Sequence, residues 1–400
     1  MAALDGLADW QQKLALAAGC TLPGLFVRVS GGLFPYPLQL LAYGSAVVAA
    51  AFILAWACEA AQVDVANGLV VAVVAFVAIL PEYIVEVHFA FIGHAEYVTA
   101  NLTGASRLLL GFCVSMPALV ALLPDRWRPA RIGPLQLDGQ HRIELAILAV
   151  AAIWSLRCVV VGHLTLLDSA VLISMYVLYL RLTMTAGGEA PPPMGVPAQL
   201  AALRRPQRKR LVRVMMGYAA FVILLTAVPF GGAVLGTGAM VGISPYLLLQ
   251  WLVPVATEMP ELIVAFVLLV HGRGGQSVAV LIAGAVSQYT LALGTLPLAY
   301  RAGAGVGALP LQSREQLELF LTVAVALYAT AALIRLTLSR ADAAIMLGLF
   351  TGQFLLPTVF TRFVIALVFT ALAIDVLLAE RRQVPALLRS LRPVPRRAGA

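Results

Sequence analysis

The sequence predicts an all-α protein that crosses a membrane many times. Of its 400 residues, 61% are hydrophobic and only 12% are charged. Soluble domains average about 45–50% apolar residues and about 25% charged residues. Long apolar runs alternate with short polar breaks, and the chain has room for roughly ten or eleven spans of about 20 residues each. A large soluble domain does not fit in the remainder.

Apolar runs between charged or Gly/Pro-rich breaks give eleven candidate membrane spans. The fourth and fifth runs are separated by only a short break. The break between Pro357 and Arg362 also fits a kink in one long last helix, which leaves ten or eleven spans. The runs cover residues 37–58, 66–92, 97–123, 143–163, 165–184, 211–230, 244–270, 276–300, 316–337, 341–358 and 362–379.

Basic residues in the breaks predict the orientation of the chain. The net charge is +8, and cytoplasmic loops are enriched in Lys and Arg. With eleven spans and the N-terminus outside, all four basic clusters face the cytoplasm, where they favour anionic lipids rather than nucleic acid. The clusters are Arg126, Arg128, Arg131 and Arg142; Arg204, Arg205, Arg208, Lys209, Arg210 and Arg213; Arg340; and Arg381, Arg382, Arg389, Arg392, Arg396 and Arg397.

The longest polar stretch of the interior divides the chain into two transmembrane halves. It contains Pro191-Pro192-Pro193 and the arginine run. Five predicted spans precede it, so a motif present in both halves enters the membrane in opposite senses, as in the inverted repeats of secondary transporters. We predict an interfacial segment at 1–36, a first five-helix repeat at 37–184, a basic cytoplasmic linker at 185–210, a second repeat with a possible extra helix at 211–380, and a basic cytoplasmic tail at 381–400.

Two short stretches, one in each half, look like copies of each other. They read Leu80-Pro81-Glu82 and Met259-Pro260-Glu261, and a glycine follows each proline after twelve residues (93 − 81 and 272 − 260). A carboxylate in hydrocarbon is costly, and proline interrupts the helical hydrogen-bond ladder beside it. The pattern predicts a duplicated cation site at broken helices.

The two copies supply the oxygen ligands that hard cations prefer. The first copy offers Glu82 and Glu86, one helical turn apart, and the second offers Glu258, Glu261 and the Thr257 hydroxyl. Spacings of three and four residues predict that each set shares one helix face. A proline next to an irregular turn also releases backbone carbonyls that can bind ions.

In these residues the chain resembles the calcium/cation antiporter superfamily, the membrane region of sodium/calcium exchangers. That family's repeat runs roughly G-T-S-L-P-E, a glycine twelve residues after the proline, and D-x-A-x-G-N-x-x-G-S-N. The first copy follows this pattern without gaps through Gly93, Asn101 and Gly104. The second resembles the bacterial branch with A-T-E-L-P-E and G-A-M-V-F-Q, here Ala256 to Glu261 and then Gly284-Ala285-Val286-Ser287-Gln288.

The resemblance implies a secondary antiporter that exchanges Ca²⁺, or another cation, for Na⁺ or H⁺ by alternating access. It implies that Glu82 and Glu261 are the main metal-ligating carboxylates, Asn101 and Gln288 amide ligands, and Thr257 a hydroxyl ligand. No cofactor is expected beyond the transported cation. The short Arg-rich loops suit a bacterial inner membrane.

The departures from the family pattern favour proton coupling. Ala78 and Ile79 replace both hydroxyl residues of the first copy, and Val280 stands where the second copy would have its asparagine. Fewer neutral oxygens disfavour sodium, whereas carboxylates can carry protons themselves. His88, close to the first copy, could also titrate near neutral pH, although a packing role fits it as well.

Arg107 leaves an alternative open. It lies within an apolar span next to the first copy. Facing the site, it could pair with Glu82 or Glu86 and mimic the cation, in which case the protein would be a non-transporting sensor or scaffold; otherwise it snorkels or pairs elsewhere. An intramembrane hydrolase is disfavoured because no G-x-S-x-G or H-E-x-x-H motif occurs.

Overall fold

The computed structural model describes residues 9–31, 33–64, 79–116, 120, 135–186, 193–305 and 307–391. Its helices in the first half of the chain are α1 (Asp9–Val29), α2 (Tyr36–Gln62), α3 (Leu80–Phe91), α4 (Ala95–Arg107), α5 (Arg142–Val161), α6 (Leu166–Ala186) and α7 (Val196–Ala201). Those in the second half are α8 (Arg205–Val241), α9 (Pro245–Thr257), α10 (Met259–Val270), α11 (Gly274–Ser287), α12 (Leu293–Ala304), α13 (Ser313–Ala332), α14 (Arg340–Leu355), α15 (Val359–Ala379) and α16 (Val384–Arg389).

Five short elements complete the described helices and strands. Two are π-helical segments, π1 (Leu108–Cys113) directly after α4 and π2 (Gln288–Ala292) directly after α11. Two more are the strands β1 (His163–Thr165) and β2 (Ala308–Pro310), which pair antiparallel. A 3₁₀ turn at Gly139–His141 precedes α5.

The predicted all-α membrane fold is confirmed. In the described part of the chain, seven helices are long and apolar enough to cross a membrane, and eight if the bent pair α9–α10 is one span. The predicted runs 66–92 and 97–123 lie partly outside the described residues, as do Arg126, Arg128 and Arg131. The count of ten or eleven spans and the inverted orientation of the repeats therefore stay predictions.

Several predicted boundaries are resolved by the structure. Gly162, at a φ of 76°, ends α5, and β1 separates it from α6, so the fourth and fifth runs are two helices. α14 and α15 are also separate, and the Thr358 hydroxyl caps α15 by accepting a hydrogen bond from the Thr361 N–H at 3.1 Å. α8 begins at Arg205, so the last basic residues of the predicted linker are helical.

The chain divides into two compact units, each built from parts of both halves: Met1–His88 with Glu189–Pro260, and Phe89–Gly188 with Glu261–Ala400. In the first unit, α2 packs along α1 and α8. Small residues allow the close approach, because a Cβ on Gly24 would lie 2.5 Å from that of Ala46. α8 has 37 residues, about 55 Å of helix, which is longer than a bilayer's hydrocarbon core.

An ion pair joins α8 to the end of α2 in the same unit. Arg208 donates to both carboxylate oxygens of Asp64, from Nε at 2.8 Å and from Nη2 at 2.7 Å. Arg205 adds a contact at 3.4 Å. The hydrogen bonds from Arg208 hold the pKa of the Asp64 carboxyl below its ordinary value.

In the second unit, α13 is the central helix and packs against α5, α15 and α4. α6 packs against α12, and the β1–β2 ladder lies beside them with Leu164 opposite Leu309. At the start of α6, the buried Asp168 carboxylate accepts hydrogen bonds from Arg157, from the Trp154 Nε1–H at 3.0 Å, and from the Thr165 N–H at 2.7 Å.

Candidate functional site

The second motif copy lies at a break between two helices. α9 ends at Thr257, Glu258 takes a non-helical conformation (φ −94°, ψ 0°), and α10 begins at Met259, with 57° between the two helix axes. Pro260 has no N–H to continue the ladder of α9. The broken helix predicted for this copy is therefore present.

Glu258 does not share a helix face with Glu261, contrary to the spacing argument. Glu258 lies in the break itself, whereas Glu261 belongs to the first turn of α10. The argument does apply to the first copy, because Glu82 and Glu86 both lie within α3. The break displaces the carboxylate of Glu258 from the regular helical position that a three-residue spacing assumes.

Both glycines that follow the motif are in the left-handed conformation, with φ 86° at Gly93 and φ 78° at Gly272. This conformation favours glycine because it has no Cβ. Each glycine ends one helix and turns the chain into the next. The backbone bonds of the two turns match one for one: Gly93 N–H to Ala90 O at 3.1 Å, His94 N–H to Phe89 O at 2.9 Å, Gly272 N–H to Leu269 O at 3.0 Å and Arg273 N–H to Leu268 O at 2.9 Å.

The candidate ligands of the first unit are buried. Relative exposure is 5% for Glu82, 0% for Glu86, 4% for Glu258 and 3% for Thr257. The Thr257 hydroxyl donates to the Val253 carbonyl at 3.0 Å, which leaves its oxygen lone pairs as acceptors. Burying carboxylates this deeply is costly unless a cation or a proton neutralises them.

The candidate ligands of the second unit are Glu261, which is half-buried, and the amides Asn101 and Gln288, which are buried. Asn101 lies on α4 and Gln288 opens π2, and these two elements pack on each other. His88, the other residue singled out by sequence, is half-buried near the end of α3. In the described part of the chain, no three His, Cys, Asp or Glu side chains group closely enough to hold a metal ion.

The π-helical segments recur at matching places in the two copies. Both end twenty residues after the motif glycine (113 − 93 and 292 − 272). π-helices are rare and are frequently found at functional sites. Their recurrence on the two helices that carry the amides supports the idea that these helices are functional counterparts.

Arg107 is buried and bound to an acid that the sequence analysis did not single out. Its Nη2 lies 2.6 Å from Glu318 Oε2, its Nη1 2.7 Å from Gln353 Oε1, and its Nε 2.9 Å from the Thr103 carbonyl. Glu318 also pairs with Arg362. This geometry favours the interpretation that Arg107 pairs elsewhere over the one in which it replaces the cation.

Glu318, Gln353 and Arg362 are residues that sequence reasoning missed. Each is polar or charged and lies within an apolar helix. The charges of Glu318 and Arg362, together with that of Arg107, were the available signal, since charges of mixed sign in membrane segments usually pair.

The sequence matches the family model "Sodium/calcium exchanger protein" over residues 36–185 and 211–359. A search of curated protein sequences gives no match. Among solved structures, the chain is similar to the H⁺/Ca²⁺ exchanger CAX, with 34% identity, a TM-score of 0.89, and coverage of 96% of this chain and 98% of that one.

Two more distant structures share the fold. The sodium-calcium exchanger NCX_Mj has 19% identity and a TM-score of 0.53, with 86% of this chain and 98% of that one covered. Native YfkE has 14% identity and a TM-score of 0.60, with 90% and 99% covered.

Proposed function

We propose that this chain, which belongs to the sodium/calcium exchanger family and is a cation antiporter, exchanges Ca²⁺ for H⁺. The observation that carries the choice of ions is the set of carboxylates at the motif, together with the loss of both hydroxyl residues of the sodium-coupled pattern from the first copy. The 34% identity to an H⁺/Ca²⁺ exchanger supports the same choice.

Glu82 and Glu261 are the proposed principal ligands of the transported ion. Glu86 and Glu258 add carboxylate oxygens, Thr257 a hydroxyl, and Asn101 and Gln288 amide oxygens. Backbone carbonyls released at the break after Thr257 are further ligands of the kind that calcium prefers.

Exchange follows from the electrostatics of the two principal carboxylates. One Ca²⁺ or two protons neutralise them equally well, and either state avoids a bare buried charge. The unloaded, fully ionised site is costly to bury. The loaded site therefore undergoes the conformational change that switches access more readily than the unloaded site does. Competition between Ca²⁺ and H⁺ for the same oxygens then couples their opposite fluxes.

The finer points of location belong to this proposal. The protein is integral to the membrane, and we place it in a bacterial inner membrane with the N-terminus outside and the C-terminus in the cytoplasm. Exposed Arg204, Arg205, Lys209 and Arg210 at the start of α8 support a cytoplasmic surface that attracts anionic lipids.

A panel of ion fluxes tests the proposal. The protein is reconstituted in liposomes, and Ca²⁺, Mn²⁺, Na⁺ and K⁺ uptake is measured under an imposed H⁺ or Na⁺ gradient. We expect Ca²⁺ uptake driven by the H⁺ gradient in sodium-free buffer. A strict requirement for Na⁺ would contradict proton coupling, and no flux of any cation would support the non-transporting alternative.

A further inference from the structure

A cluster of buried charges connects the helix that carries Asn101 to the centre of the second unit. Arg107, Glu318 and Arg362 have relative exposures of 0%, 1% and 3%. Arg107 belongs to α4, Glu318 to α13 and Arg362 to α15, and Gln353 of α14 accepts a further hydrogen bond from Arg107. Four helices are therefore joined at this cluster.

The helix that carries Gln288 is hydrogen-bonded to the same part of α13. The Tyr289 hydroxyl donates to the Thr322 carbonyl at 2.5 Å, and the Thr322 hydroxyl donates to the Glu318 carbonyl at 2.7 Å. Thr322 follows Glu318 by one helical turn. α13 thus holds both amide-bearing helices, one through Arg107 and the other through Tyr289.

Each of these two contacts with α13 lies at the edge of a π-helical segment. Arg107 is the last residue before π1, and Tyr289 is the second residue of π2. A π segment and an α-helix differ in register by one residue, and side chains beyond the transition rotate accordingly. A bond fixed at the transition therefore defines where the neighbouring amides lie.

The buried charges indicate that this cluster fixes the positions of the helices that it joins. Three buried ions are costly, and well-packed apolar side chains would usually stabilise a helix interface equally well. Charged pairs with several directed hydrogen bonds accept only one arrangement, as the planar Arg107 guanidinium does by binding Thr103, Gln353 and Glu318 at once.

We propose that Arg107, Glu318 and Tyr289 are positioning residues that set the amides of Asn101 and Gln288 for ion binding through their common attachment to α13. The inference rests on the proposed function, because it takes these amides as ligands of the transported cation. None of the three residues contacts the ion; they act through the helices that they hold.

The test compares three variants of the full-length protein. Y289F removes one hydroxyl, and R107K keeps the charge but loses the planar fork. Y328F is the matched control, because Tyr328 also lies on α13 but donates at 3.0 Å to Asp342 near the start of α14. For each we measure the Ca²⁺ dependence of uptake in liposomes and amide hydrogen exchange over residues 100–113 and 285–292.

We expect Y289F and R107K each to raise the half-saturating Ca²⁺ concentration by about fivefold, the factor that one hydrogen bond supplies. Amide exchange should accelerate in both segments, whereas Y328F should match the wild type in both measurements. Uptake in Y289F and R107K within twofold of the wild type overturns the inference. A wild type that carries no Ca²⁺ refutes the proposed function instead; hydrogen exchange then decides the positioning role alone, and rates equal to those of the wild type overturn it.

Discussion

The carboxylates of the two motif copies connect the sequence pattern most directly to the proposed ion chemistry. Glu82, Glu86 and Glu258 are buried and Glu261 is half-buried, within apolar helices or, for Glu258, at the break between two of them. A buried carboxyl group is neutral or is balanced by a cation. This choice between proton and metal ion is what the proposed exchange of Ca²⁺ for H⁺ requires.

Replacing Glu261 by Gln should abolish exchange. The amide has a similar shape but can neither carry a negative charge nor bind a proton, so Ca²⁺ loses a ligand and the site loses its coupling. We expect Ca²⁺ uptake in liposomes to fall more than about 100-fold, a loss of roughly 3 kcal/mol in ion binding. E96Q is the control, because Glu96 is half-exposed and pairs with His94 at the start of α4. Normal uptake by E261Q would rule out the site.

Replacing Thr257 by Val should weaken Ca²⁺ binding without unfolding the protein. Val keeps the shape but removes the hydroxyl oxygen, so we expect the half-saturating Ca²⁺ concentration to rise about five- to tenfold. Thr226→Val is a matched control in the same unit: Thr226 is equally buried and donates to the Val222 carbonyl, as Thr257 does to Val253. Equal uptake curves for both variants would show that Thr257 does not bind the ion.

The partner of Arg107 could not be predicted from the sequence. The sequence marks Arg107 as unusual, because a charge in an apolar span needs a partner. Its partner Glu318 is 211 positions away, and no local pattern links the two. The sequence therefore left open whether Arg107 faces the site, and the observed pairing supplies what was missing.

At the scale of elements, the glycine turns are the strongest structural evidence that the motif is duplicated. Gly93→Ala and Gly272→Ala should each destabilise the protein by about 1–2 kcal/mol, because a residue with a Cβ is strained at positive φ. Thermal unfolding in detergent measures this. Gly217→Ala is the control: Gly217 is helical within α8 with open space around it, and this change should be neutral or slightly stabilising. Equal unfolding temperatures for all three variants would contradict the strain argument.

The ion pair between α2 and α8 makes a pH-dependent contribution to stability. Because Arg208 lowers the pKa of Asp64 in the folded state, the pair stabilises the protein above the carboxyl's ordinary pKa of 3.8 and loses its effect as pH falls through the lowered value. D64N should therefore unfold more easily by about 1–2 kcal/mol at pH 7. The difference from the wild type should shrink as the pH falls below 3.8 towards the lowered pKa of Asp64; a constant difference would exclude this origin.

The helices, strands and π segments differ in how well the sequence predicts them. Long apolar runs predicted the helices α2, α5, α6, α8 and α13 because a span needs about 20 apolar residues whatever its partners. The β1–β2 ladder was missed because strands of three residues show no alternation. The π segments and the exact break at Glu258 depend on tertiary contacts and on local backbone geometry that composition does not reveal.

The compact units of the whole molecule are a different division of the chain from the predicted repeats. The repeats at 37–184 and 211–380 stay predictions, and each compact unit takes one part of each half, with boundaries at His88 and Pro260. These boundaries lie within α3 and α10, the helices that carry the motif acids. Compact units arise from contacts between residues distant in sequence, so a linear reading of polarity could not find them.

Proton movement driven by a calcium gradient tests the central claim most directly. Liposomes that contain the protein, a pH indicator and sodium-free buffer are exposed to external Ca²⁺ with no initial pH difference. We predict that Ca²⁺ enters while H⁺ leaves, so that the lumen becomes alkaline with the wild type but not with E261Q. Calcium entry with an unchanged luminal pH, or entry only after Na⁺ is loaded inside, would contradict the account.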